Sequence, residues 1–102
     1  MYRYTTPKIT LTISGIDFSE VSLFRVAFEK CNYRLVKDIL PSDEGVNPDT
    51  NTIQLELTQK ETADMSPGTV NIQVRIKFNN GRVAATDMIP RSIKDVIDEV
   101  EI

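Results

Sequence analysis

Few groups in this chain can do acid–base chemistry: there is no histidine, and the one cysteine is Cys31. Catalysis near neutral pH draws on histidine or on two carboxylates held in one cleft. The candidate carboxylate pairs are Asp17 with Glu20, Asp43 with Glu44, and Asp98 with Glu99. All three lie in turn-like or strongly charged stretches, which predicts solvated surface rather than a shared cleft. A nucleophilic cysteine needs a basic partner, so with histidine absent Cys31 is expected as a small buried or half-buried apolar side chain. A lone cysteine also forbids an internal disulfide and a cysteine-rich metal site.

The segment "SDEGVNPDTN" brings Asp43, Glu44, Asn47, Asp49 and Asn51 together, oxygen donors of the kind calcium takes. Its glycine falls too early for an EF-hand loop and no glutamate closes the coordination sphere. The same residue types initiate turns, and turn formation explains them. The four glycines make no GxGxxG phosphate loop. These residues therefore predict no catalytic, cofactor-binding or metal-binding site, and a non-enzymatic protein.

The elements that would position any site read as short strands. "KITLTI" (Lys8–Ile13) and "TIQLELT" (Thr52–Thr58) alternate apolar and polar residues, with Ile9, Leu11, Ile13 and Ile53, Leu55, Leu57 on the inward side. "VSLFRVAFEK" sets Phe24, Val26 and Phe28 against Arg25, Ala27 and Glu29. A helix also fits that stretch, but the phenylalanines, the valines and the turn "KCNY" favour a strand. Its hairpin partner is Tyr33–Ile39, with Tyr33, Leu35 or Val36, and Ile39 pointing inward. "LPSDEGVNPDTN" is a loop by composition. "QKETADMSPG" holds one helical turn with Met65 in the core.

The longest run, Thr69–Asn79, alternates without a break: Val70, Ile72, Val74, Ile76 and Phe78 point inward. Asn71, Gln73, Arg75 and Lys77 point outward and form the candidate interaction face, with Gln54, Glu56 and Thr58 expected nearby. Asn80-Gly81 predicts a two-residue type I′ turn pairing Phe78 with Val83 and Ile76 with Ala85. That register would drive Asp87 into the core opposite Val74, so a bulge or strand end is expected near Asp87, with Met88 or Ile89 taking the inward slot. For "RSIKDVIDEVEI" the choice stays open between a short helix N-capped by Ser92 and a last strand.

At 102 residues and 40% apolar composition the chain is one ordinary domain, residues 1–102. Its net charge of −3 argues against a nucleic-acid or anionic-membrane partner. No run approaches the ~20 apolar residues a membrane span needs, and "MYRYTTPKIT" does not resemble a signal peptide. The protein is expected to stay in the cytoplasm where it is made, or to be built from there into a larger object. Short strands separated by turn signals predict an all-β, immunoglobulin-like antiparallel β-sandwich of six to seven strands, with a short C-terminal helix as an option. In such a fold, Val- and Ile-rich edge strands invite a second chain.

A resemblance adds a role. Leu57, Thr58, Gln59, Glu61 and Thr62, then Ile72, Gln73, Val74 and Arg75, then Gly81, Ala84, Ala85 and Thr86 follow a pattern similar to small β proteins encoded in prophages of Gram-positive bacteria. "GIDFSEVSLFRVAFEK" resembles that family's first hairpin and "SIKDVIDEVEI" its usual close. Lys60 and the Ala85-Thr86-Asp87 triplet depart from the pattern. The resemblance implies a phage or prophage structural or assembly component of tail, baseplate or neck. Its partners would be other phage structural proteins or itself, as a homo-oligomer, and its destination the virion. The competing reading is an immunoglobulin-like recognition module for a peptide or carbohydrate.

Overall fold

The computed structural model describes Met1–Ile102. Its strands are β1 (Lys8–Thr12), β2 (Val21–Lys30), β3 (Tyr33–Ile39), β4 (Val46–Asn47), β5 (Thr52–Glu56), β6 (Gly68–Phe78), β7 (Val83–Ala85) and β8 (Ile89–Ile93). A five-residue helix, α1 (Gln59–Ala63), connects β5 to β6. One sheet has the order β1-β5-β4; the other runs β3-β2-β6, with β7 and β8 both on the far side of β6. The ladders within both sheets are antiparallel. This is the all-β sandwich expected, with eight strands because a short one, β4, pairs within the stretch that reads as loop.

Period-two alternation builds the interior. β6 contributes Val70, Ile72, Val74 and Ile76, and β2 contributes Phe24, Val26 and Phe28, all fully buried or nearly so. Their register sets Phe24 beside Ile76, Val26 beside Val74 and Phe28 beside Ile72. The three-stranded sheet supplies Ile9, Leu11, Ile53 and Leu55, and the connection through α1 adds Leu57 and Met65. Burying side chains of this size contributes about 1.5–3 kcal/mol each. The Phe18 and Phe24 rings meet at 4.9 Å and 59°, a tilted aromatic contact. Gly45 passes so close to β5 that an added Cβ would lie 2.1 Å from the Gln54 carbonyl oxygen, so no larger residue fits there.

Helix α1 is short but closed at its start. Thr58 Oγ1 accepts from the Glu61 amide at 3.1 Å and Glu61 Oε1 accepts from the Thr58 amide at 2.8 Å, a reciprocal capping box. Thr62, the only buried polar side chain, serves the backbone of Thr5: its hydroxyl accepts from the amide at 3.1 Å and donates to the carbonyl at 2.9 Å. The N-terminal segment, which has no strand partner at that point, is thereby tied to α1.

The hairpin after β6 differs from the expected one. Lys77 pairs with Val83, Ile76 with Ala84 and Arg75 with Ala85, one residue out of the type I′ register. The loop holds three residues, Asn79, Asn80 and Gly81: the Gly81 amide donates to the Phe78 carbonyl at 2.9 Å and the Phe78 amide to the Arg82 carbonyl at 2.8 Å. A type I′ turn needs positive φ at both Asn80 and Gly81. This loop needs it only at Gly81, φ 88°, where glycine carries no penalty. Val83 therefore faces outward and small Ala84 packs opposite Ile76. The strand end near Asp87 is present: five residues separate Ala84 from Ile89 where β6 advances four, from Ile76 to Ile72. Ile89 takes the inward place, half-buried, while Met88 is exposed.

Two open choices are resolved and one expectation is corrected. At the C-terminal segment the strand forms and the helix does not: Ser92 pairs with Thr69 in the β8 ladder, Ile93 enters the core, and residues 95–102 form neither helix nor strand. Cys31 is exposed, not buried, because it occupies the two-residue turn between β2 and β3 with φ 52°. On β3 the inward residues are Tyr33, Leu35, Lys37 and Ile39, so Val36 is outward.

The hairpin register is testable by paired substitutions. Val83→Thr should change stability by less than about 0.5 kcal/mol, as at other exposed sites. Val74→Thr should cost about 1–3 kcal/mol by burying a hydroxyl. Thermal unfolding followed by circular dichroism reads both, and comparable losses for the two would place Val83 inside.

Candidate functional site

The outward side of the five-stranded sheet gathers Asn71, Gln73, Arg75 and Lys77 with the outward residues of β2 and β3. Arg25 sits between Asp38 and Arg75, Ala27 between Val36 and Gln73, and Glu29 between Arg34 and Asn71. Arg25 grips Asp38 with two hydrogen bonds, Nε to Oδ1 at 2.7 Å and Nη2 to Oδ2 at 2.9 Å. Those hydrogen bonds hold the Asp38 carboxyl below the usual carboxylate range and raise the Arg25 guanidinium. Glu29 pairs with Arg34. Arg75 and Lys77 make no ion pair, although Arg75 lies directly across from Arg25. The outward positions of β2, β3 and β6 thus carry four cations against two carboxylates, on a chain whose net charge is −3.

The face is indented. A shallow cleft of about 380 Å³ runs over Ala27, Gln73 and Asn71, with Met88 at its rim. An adjoining depression of about 180 Å³ lies between Leu23, Lys77 and Val83, and Arg25 and Arg75 border both. Gln73 shapes the rim: its Nε2 donates to the Thr86 carbonyl at 2.9 Å, while Thr86 Oγ1 accepts from the Val74 amide at 3.1 Å. These bonds hold the irregular segment between β7 and β8 against β6 and so place Met88. Gln54 and Glu56, expected beside this face, lie on β5 in the other sheet and point outward from the opposite side of the sandwich. Thr58 is likewise elsewhere, as the cap of α1.

Of the carboxylates singled out for chemistry, Asp17 and Asp43 are spent on local turns and Glu99 faces Arg3. Glu20, Glu44 and Asp98 make no ion pair, and none of the three pairs converges on a shared cleft. Asp17 accepts from the Ser19 amide at 3.0 Å and its hydroxyl at 2.7 Å, hydrogen bonds that lower its carboxyl below the usual range. Asp43 accepts from the Leu40 amide at 2.9 Å, and Asn47 Oδ1 accepts from the amides of Asp49 and Thr50. The loop oxygens therefore turn the backbone, and no group of three or more His, Cys, Asp or Glu side chains is assembled to hold a metal ion. Glu99 lies 3.6 Å from the Arg3 guanidinium, which also holds Asp95 at 2.7 Å.

The sheet's β3 edge is guarded by an inward-facing charge. Lys37 points inward beside Val26, and its Nζ lies 2.9 Å from Glu61 Oε1. An inward-pointing charge on an edge strand resists the docking of another strand, because a new neighbour would have to cover it. Burial pushes the Glu61 carboxyl up, but the Thr58 amide and Lys37 outweigh it, and the folded-state value lies below the usual 4.5. The "T-x-x-E" spacing of Thr58 and Glu61 was the legible signal for this arrangement. The alternation of Tyr33, Leu35 and Ile39 is the local signal for Lys37's inward direction, and only its partner Glu61 lies beyond a local reading.

Because the folded-state value of Glu61 is lowered, its contribution to stability is complete above about pH 4.5 and is lost as pH falls through that lowered value. Glu61→Gln keeps a capping side chain but removes the charge. It should cost roughly 0.5–1 kcal/mol near neutral pH, where the half-buried pair operates. Thermal melts of both proteins across the acid range should converge at low pH; a constant difference at every pH would contradict the ionic contribution. No protein-family model matches the chain, and no curated protein or solved structure matches it.

Proposed function

We propose that this protein is a non-enzymatic phage or prophage structural or assembly component, of tail, baseplate or neck, that works by protein–protein association. The observation that carries this reading is the outer face of the larger sheet, where Arg75 and Lys77 stand without counter-charges in an acidic protein. Exposed Val36, Val83 and Met88 lie among those cations, a mixture of apolar and charged area suited to a protein partner. Edge pairing is the weaker route, since Lys37 guards β3 and Pro7 precedes β1. The phage assignment is supported by the resemblance of the segments around Leu57–Thr62 and Ile72–Arg75, and the face supports the mode of action.

The test is affinity capture from phage-producing cells combined with sedimentation of the purified protein. The account predicts self-association or recovery of identified tail, baseplate or neck proteins. Arg75→Glu with Lys77→Glu should weaken that association about tenfold or more by reversing the charge of the face. A protein that stays monomeric at every concentration and recovers no virion component would refute the proposal.

A further inference from the structure

The outer face has a complement within the chain itself. Beyond β8, residues Asp95–Ile102 carry Asp95, Asp98, Glu99 and Glu101 and no cation. The same stretch exposes Ile97 (106%), Val100 (61%) and Ile102 (99%). Of the eight large hydrophobic side chains exposed on the molecule, these three lie in the tail and three more, Val36, Val83 and Met88, lie on the outer face. One patch is apolar with surplus positive charge; the other is apolar and wholly negative.

We infer that the occupant of the outer face is the Asp95–Ile102 segment of a second copy of this chain, an inference that rests on that face being the association surface. Size agrees: eight extended residues span about 26–29 Å, and β6, with eleven residues, offers roughly 36 Å of face along its length. The chain's own tail lies elsewhere: the Gln59 side chain bonds both the amide and the carbonyl of Ile102, Arg3 holds Asp95, and no residue of the tail lines the clefts of the outer face.

Within its own molecule the tail is held lightly, by Arg3 to Asp95 and Glu99 and by the Gln59 amide to the backbone of Ile102. Asp98 and Glu101 make no ion pair. They are therefore the anions available to Arg75 and Lys77 of a neighbour. Such a contact joins two different surfaces, so repetition builds a ring or a stack unless the contact is reciprocal within a dimer.

A charge swap in the full-length protein tests this. Sedimentation equilibrium at low ionic strength would compare wild type, Asp98→Lys with Glu101→Lys, and Arg75→Glu with Lys77→Glu, each checked for an unchanged circular dichroism melt. The inference predicts that wild type associates, that each double variant alone loses about tenfold or more in association constant, and that added salt weakens the wild-type contact. An equimolar mixture of the two variants should recover association, because each reversed patch then meets its opposite. If the tail variant associates like wild type while the face variant does not, the face is used but the tail is not its occupant, and the inference is overturned alone. Failure of the mixture to recover association overturns it as well. A wild-type protein that stays monomeric overturns it, and recovery of an identified virion protein by that monomer would leave the proposed function standing.

Discussion

The pairing of β2 with β6 is the constraint on which the rest of the molecule depends. Because successive strand residues point to opposite sides, one register choice assigns Phe24, Val26, Phe28, Ile72, Val74 and Ile76 to the interior. The same choice assigns Arg25, Ala27, Glu29, Asn71, Gln73 and Arg75 to the outside. A slip of one residue would turn the apolar set of one strand outward and bury its charged set, Arg25 and Glu29 on β2 or Arg75 and Lys77 on β6, which no packing gain would offset. The core and the candidate association face are thus two consequences of a single ladder. The bulge between Val21 and Leu23 is confined to the end of that ladder and leaves the central pairs intact.

Closing the sandwich falls to a smaller set of polar contacts. The capping box of α1 starts the helix, Thr62 ties the N-terminal segment to it, and Lys37 reaches from the β3 edge to Glu61. Arg3 adds a second clamp, its guanidinium bonded to the Ala63 carbonyl at 2.6 Å and to Asp95, and stacked 5.3 Å over the Tyr4 ring. These interactions are few because the alternating strands have already supplied the apolar burial. Their role is to fix how the connections cross between the two layers.

Local pattern made the strands legible. The alternation of β1, β2, β5 and β6, the β2–β3 hairpin and a helical turn shortly before buried Met65 all follow from residue type and spacing. So does the outward direction of Asn71, Gln73, Arg75 and Lys77. The strand end near Asp87 is expected from a register with Asp87 opposite Val74, and in the register that forms Thr86 lies there instead. What stayed hidden depends on partners distant in the chain or on energy differences of one residue. Gln54 and Glu56 look like neighbours of β6 until β5 is seen to pair with β1. Lys37 shares the inward side of β3 with Leu35 and Ile39, but Glu61, the carboxylate that receives it, is distant in the chain. Asn80-Gly81 supports either of two loops, and the longer one avoids positive φ at asparagine. The apolar spacing of Ile93, Val96, Ile97 and Val100 suits a helix, but Ile93 is buried in the β8 ladder, Val96 is only half-buried, and Ile97 and Val100 are exposed, so a helix has no apolar surface to pack against.

The outward side of β2, β3 and β6 is the proposed association surface, and methyl NMR as a function of protein concentration is its sharpest test. Signals of Ala27, Val36 and Met88 should shift together as association proceeds, while those of Val26 and Val74, on the inward side of the same strands, stay in place. Shifts confined to Thr10 and Thr12 on the opposite sheet, with Ala27, Val36 and Met88 unchanged, would contradict it.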